Sequence, residues 1–423
     1  MQLQAAFAKV DITPPLGREV PGGFFKSYAK GVHDPLYARA AFLDNGEHAI
    51  AIVSVDCVFV EAPCVLRARE RVSEWLGREV DVLIAATHTH SGGPTGGVLM
   101  SEPDPVYVDW VADQAATAIV LACNRAQPAF LRTAIGGAEG VAFNRRFRMK
   151  DGSVRTNPGY DNDDIAECLG PADPDVGAIA AYDEFGAMLG AMVNFTCHST
   201  FMGGVGYSGD YAAWIEARMG APTVFLPGAI GDVNQCDFLH SSRERDSGEK
   251  AARRSGARIA QAALKALAQE PLAHEPTLSA ISEPCLLPVR GPSDEQLEDA
   301  RKVWDAPGDM TQQKVYAREH LLLAEMVAGI EAIECELQAL RIGDMRIGAA
   351  ALQPFCQLGL DVKRGMDKVI FAGLANGHLG YVGPRHAYEE GGYELELKRT
   401  SRLAPGAGEV LVEGLRGLLQ RLG

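Results

Sequence analysis

Three histidine-bearing stretches offer imidazoles to a metal ion or a proton. The first is His88-Thr89-His90-Ser91-Gly92-Gly93-Pro94, which follows the apolar run Val82 to Ala86. On an extended strand, residues i and i+2 face the same side, so His88 and His90 can project together at the strand's end. Neutral imidazole is a common zinc ligand, and strand ends are where α/β sites gather. Two solvent-facing loop histidines would leave the same short pattern. The second stretch, Asn194-Phe195-Thr196-Cys197-His198-Ser199-Thr200, again ends an apolar run in a histidine among small polar residues. A satisfied buried histidine is the plainer reading of it, and Cys197, pointing to the opposite face, reads as core. The third, Asn376-Gly377-His378-Leu379-Gly380-Tyr381-Val382, follows Val369 to Ala372. Its glycines let the backbone come close to another group, and His378 reads equally well as ligand or as structural residue.

Three further elements could face a substrate. The loop Gly228-Ala229-Ile230-Gly231-Asp232-Val233-Asn234 can present backbone N–H groups to an oxyanion, or simply turn the chain. It lacks the glycine spacing of nucleotide sites. Arg145, in Asn144-Arg145-Arg146, is a surface charge or a planar fork for a carbonyl or carboxylate. Asp56 ends the apolar run Ile52 to Val55, where it serves a substrate or caps a turn.

The elements that must position these residues alternate between strand and helix. Residues 38 to 60 read as a hairpin turning at Asp44-Asn45-Gly46, and 177 to 199 as a second turning at 183 to 186. A third turns at Gly343-Asp344. Helices are predicted over 62–76, 105–123, 216–220, 249–267 and 408–422. Residues 294–330 read as a charged helical pair, an insertion or cap, and 142–175 as a long ordered loop. No internal repeat is visible. The class is α/β, a large mixed-sheet catalytic domain with flanking helices, spanning 1–423 as one domain.

With 423 residues, 47% of them hydrophobic, a sizeable core is feasible. A net charge of −15 argues against nucleic acid and against anionic membranes as partners. Nine scattered cysteines without a CxxC pair are neither a disulfide framework nor a thiolate zinc site. No secretory leader or membrane-spanning run is evident, so a soluble cytoplasmic protein is expected. Its partner is a small-molecule substrate, and self-association stays open.

In their order along the chain, several motifs resemble the neutral/alkaline non-lysosomal ceramidase family. They are Val10-Asp11-Ile12-Thr13-Pro14-Pro15, Val32-His33-Asp34-Pro35-Leu36-Tyr37-Ala38-Arg39-Ala40, His88 to Gly92, Asn144-Arg145, Gly209-Asp210-Tyr211, Gly228 to Asn234, and Leu374 through Glu394. The resemblance covers nearly all of the chain. It implies one catalytic Zn2+, with His88 and His198 as ligands and His90 positioning or moving a proton. Arg145 would meet the substrate or the developing oxyanion, and Tyr388 would line the site. Apart from the resemblance, Asp56, Gly231, Asn234 and Tyr381 are expected to contact substrate.

The chain also departs from the family. Asn234 stands where the family has a serine, so a serine-centred reaction is not expected. Gln353 stands where the family has a glutamate ligand, and His378 takes the place of its tyrosine ligand. His88, His198 and His378, with or without Gln353, would form a three-histidine site with an open position, suited to activating water. Losing the glutamate's charge would leave the metal more electrophilic. No C-terminal immunoglobulin-like sandwich and no leader are expected, both of which argue against a secreted lipid enzyme. The expected activity is therefore an amidase: hydrolysis of a C–N bond in a small soluble molecule by metal-bound hydroxide. The alternatives are an ester or lactone hydrolase, a lyase on the same scaffold, or a scaffold without catalysis.

Overall fold

The computed structural model describes residues 2–204 and 206–423. Three mixed sheets are each built by the same local plan. In the first, Tyr37–Asp44 and Ala49–Val55 form an antiparallel hairpin, the helix Ala62–Leu76 crosses over, and Asp81–Ala86 returns parallel to Ala49–Val55. In the second, the hairpin is Asp175–Tyr182 with Met188–Phe195, the helix Asp210–Met219, and the parallel strand Thr223–Pro227. In the third, Ala332–Ile342 pairs with Met345–Ala350, the helix Cys356–Lys363 follows, and Val369–Ala372 returns parallel. The chain thus contains a structural repeat that its residue identities do not reveal. Each unit needs only a period-2 apolar pattern, a turn and a crossover helix, and many sequences satisfy that.

The three sheets turn one face toward each other and the other toward helices. Ile50 and Ile52 meet Ile179, Met192, Leu340 and Ile347 in a common core. Their strand neighbours Ala51, Val53 and Val55 pack instead with Val65, Val111 and Ile119 of the helices Ala62–Leu76 and Pro105–Asn124. A strand covered on both faces has no polar side, which is why Ala49–Val55 reads as a continuous apolar run. Three buried polar side chains tie the sheets together. The Ser54 hydroxyl accepts from Phe225 N at 3.2 Å. Asn194 donates to the carbonyls of Leu226 (2.9 Å) and Phe371 (2.8 Å). Asn376 accepts from Ile84 N at 3.0 Å. Each bond contributes about 1 kcal/mol net, and leaving one such buried group unpaired would cost about 1–3 kcal/mol.

Several predicted elements differ in the structure. Residues 142–175 are not a loop. Arg146–Met149 pairs with Val154–Thr156 and Ile165–Cys168 in a small sheet, and Phe143–Asn144 pairs with Val233–Asn234. These strands are short and polar, and Phe147, Met149 and Phe238 supply their own small apolar cluster. The helix expected from 216 begins earlier, at Asp210. The charged pair at 294–330 is present as Asp294–Asp305, opened by a Ser293/Gln296 capping box, and Gln312–Met326. The helix Pro105–Asn124 is long and apolar enough by composition to cross a bilayer, contrary to expectation. Here it lays Val111, Ala115, Ala116 and Ile119 into the core beneath the first sheet.

Candidate metal centre

Each sheet sends one side chain from the end of a parallel-paired strand to a single point. His88 follows Asp81–Ala86, His198 follows Met188–Phe195, and Gln353 follows Met345–Ala350. One nitrogen from each of His88, His90 and His198 lies within 4.8 Å of the others, a spacing that can hold a metal ion. The strand stops at Ala86, and His88 adopts φ +64°, so strand alternation does not bring the His88/His90 pair together. A left-handed non-glycine residue costs about 1–3 kcal/mol and persists where the surroundings impose it. Two backbone carbonyls fix the rings of His88 and His198. His88 Nδ1 donates to Val58 O at 2.6 Å and His198 Nδ1 to Val233 O at 3.0 Å. With Nδ1 carrying the proton, each ring turns an unprotonated Nε2 inward, the arrangement metal-bound histidines require.

The remaining contacts complete the group. His90 Nε2 lies 3.3 Å from His88 Nε2, and Gln353 Nε2 lies 2.8 Å from the same atom. The Tyr381 hydroxyl stands 3.5 Å from His198 Nε2. Gln353 and Tyr381 are side by side because Gln353–Pro354 pairs in parallel with Tyr381–Val382, Gln353 opposite Tyr381. Burial drives the pKa values of His88 and His198 well below the ordinary imidazole range. Burial and the Arg145 charge lower His90 to about 4, against a backbone hydrogen bond at Gly22 that pulls upward. All three rings are therefore neutral at neutral pH, the form that binds a metal. His88 and His198 turn unprotonated Nε2 atoms toward the same point, and His90 Nε2 stands 3.3 Å from that of His88. The donor set fits a divalent ion.

Arg145 forms the adjoining wall. Its Nε pairs with Glu394 at 2.7 Å, and its Nη2 donates to Gly231 O (2.8 Å) and to the Tyr381 hydroxyl (3.3 Å). The Tyr381 oxygen accepts from Arg145 and its own proton faces His198 Nε2, so the hydroxyl acts as a donor toward the centre. A cavity of about 670 Å³ opens over this group, lined by His90, His198, Arg145, Tyr381 and Asn234 among others.

Four expected site residues sit elsewhere. His378 does not join the histidine group and His90 does; the His378 ring stacks on Phe59, centroids 3.7 Å apart, and its Nε2 has no partner. Tyr381, three residues further on, faces the histidine group instead. Tyr388 packs with Phe355 and Leu395 under the Arg290 guanidinium, away from the cavity. Asp56 is fully buried and consumed by Arg39 Nη1 (2.6 Å), Tyr37 N (2.9 Å) and the Thr87 hydroxyl (3.2 Å). It braces the residue before His88 and does not line the cavity. Gly231 spends its N–H on Pro354 O at 2.8 Å, so it offers none to an oxyanion. Asn234 does reach the cavity, held by a 2.9 Å hydrogen bond to Asn157.

Sequence reasoning passed over Tyr393 and Glu394, although both lie in the motif quoted around Tyr388. Tyr393 lines the cavity and Glu394 is the fully buried partner of Arg145. It also passed over Gly22 (φ +112°), where a Cβ would come within 2.5 Å of His90 Nδ1.

Solved structures share this architecture. Neutral ceramidase from Pseudomonas aeruginosa superposes with a TM-score of 0.75 at 20% identity, over 100% of this chain and 74% of that one. A ceramidase complexed with C2 gives 0.72 at 19% identity, over 100% and 75%. The fold is that of the ceramidases. No family model matches the sequence, and no curated protein does.

Proposed function

We propose that this chain is a metal-dependent hydrolase that cleaves the C–N amide bond of a small polar molecule, with zinc held by His88 and His198. The observation that supports it most is the convergence of three neutral imidazoles, two of them locked through Nδ1 by backbone carbonyls. The likeness of the fold to that of ceramidases supports amide chemistry. When bound, the ion supplies Lewis acidity, polarising a carbonyl and acidifying water. The rest is assigned to side chains of the chain itself. Neutral His90, beside His88 and open to the cavity, takes a proton as a water oxygen bonds to the carbonyl carbon. The carbonyl oxygen gains charge and faces the Tyr381 O–H, whose oxygen is polarised by Arg145. The C–N bond then breaks, and the proton held on His90 passes to the leaving nitrogen, giving a carboxylic acid and an amine. Glu394 fixes the Arg145 fork, so the charge needs no reorganisation during the reaction.

The test is a panel of short N-acyl amides, esters and lactones with zinc-loaded protein. Amides should turn over, and His90→Ala should keep its metal while losing about 10²–10⁴-fold in rate. Turnover of esters or lactones with none of any amide would overturn the amide assignment, and an undiminished His90→Ala rate would remove the proton-transfer role.

A further inference from the structure

The cavity's charge is opposite to that of the molecule around it. The chain carries 55 acidic residues and a net charge of −15, yet none of the described residues lining the cavity is an aspartate or glutamate. The charged groups that do line it are Arg145 and Arg243. They differ in what they are bound to. Arg145 is neutralised by buried Glu394, and its Nη2 is held by Gly231 O and Tyr381. Arg243 begins the short helix Arg243–Asp246 and is exposed, and no carboxylate among the described residues pairs with its guanidinium. The nearby Asp246 is turned away, accepting from Tyr160, Asp237 N and Ser241. The remaining polar lining, including Asn157, Thr200, Asn234 and Gln235, is uncharged.

A cleft whose walls carry one sign of charge concentrates molecules of the other sign. An unpaired guanidinium at such a cleft recognises a planar carboxylate through two parallel hydrogen bonds. We propose that the substrate is an anionic amide, a small N-acyl compound bearing one carboxylate, and that Arg243 is the residue that selects it. One free guanidinium balances one negative charge, which favours a carboxylate over a doubly charged phosphate. The proposal rests on the amide-hydrolase reading for the reaction, and on the cavity alone for the charge.

The experiment compares N-acetyl-L-alanine with N-ethylacetamide, which has the same amide but no carboxylate, in both hydrolysis and calorimetric binding by the purified protein. The wild type should prefer the carboxylate at least tenfold in kcat/KM, through KM. Arg243→Gln should collapse that preference, Arg243→Lys should restore part of it, and about 1 M salt, where the screening length falls to ~3 Å, should weaken it. Equal handling of the two compounds by the wild type, or a preference unchanged in Arg243→Gln, overturns the proposal while leaving amide hydrolysis intact. Tighter binding of N-acetyl-L-alanine that Arg243→Gln abolishes, with neither compound cleaved, upholds the anion site and counts against the amide reading instead.

Discussion

His88 and His378 begin from the same circumstances and end in different ones. Both follow a parallel edge strand, both are almost fully buried, and burial drives both pKa values well below the ordinary imidazole range. His88 gives its Nδ1 proton to the Val58 carbonyl and turns Nε2 toward His90 and Gln353. His378 lies flat on Phe59, and its Nε2 meets nothing. A buried histidine becomes a ligand through the carbonyl behind it and the nitrogens before it; burial and a glycine-rich setting are common to both residues and distinguish neither.

That contrast can be broken by substitution. The largest expected effect is on turnover: His198→Ala, which removes the second carbonyl-locked ring, should extinguish it. His378→Ala should retain activity within about tenfold and lose about 1–3 kcal/mol of stability in denaturant titration, as ordinary core truncations do. Equal losses from the two variants would erase the distinction drawn here. Next comes Gly22→Ala, whose Cβ would strike His90 Nδ1 at 2.5 Å. Displacing a catalytic ring by about 1 Å costs on the order of 10²-fold in rate, with the metal still bound. An unchanged rate would show that His90 is not held by this contact. Smaller again, Gln353→Glu adds a negative charge beside His88 Nε2 and should tighten zinc by roughly 10–100-fold in competition with a chelator. Weaker zinc binding would place residue 353 outside the coordination sphere.

A further effect concerns stability and pH. Burial pushes the Asp210 carboxyl up to about 7, although Met202 N and Tyr211 N donate to it. An acid whose folded pKa lies above its unfolded value of 3.8 contributes stability that is full below that value and lost as pH rises through about 7. The stability of wild type relative to Asp210→Asn should therefore fall across that window in urea unfolding. A difference that stays constant with pH would show that Asp210 keeps an ordinary carboxylate pKa.

Much of the frame was legible because its signals are local. The Asp44-Asn45-Gly46 turn marks the first hairpin, and the helix over 62–76 falls where its pattern predicts. The α/β class and the ceramidase resemblance agree with the observed fold. The site was legible only in part. Strand-end histidines mark 88 and 198, but nothing in the residues at 378 and 381 tells which one faces inward. The two-residue pairing of Gln353 with Tyr381 decides that, and it is long-range. Asp56 and Gly231 were misread for a related reason. Each has the right chemistry for a substrate contact, and each is spent on a partner distant in sequence, Arg39 for one and Pro354 for the other. The threefold plan escaped notice because the three units share a hydrophobic period rather than residues.

Metal stoichiometry, measured by elemental analysis of the purified wild type and of His88→Ala and His378→Ala, tests the centre most directly. One divalent ion per chain in wild type and His378→Ala, and none in His88→Ala, is the predicted result. No ion in the wild type, or an ion lost with His378 and kept without His88, would contradict it.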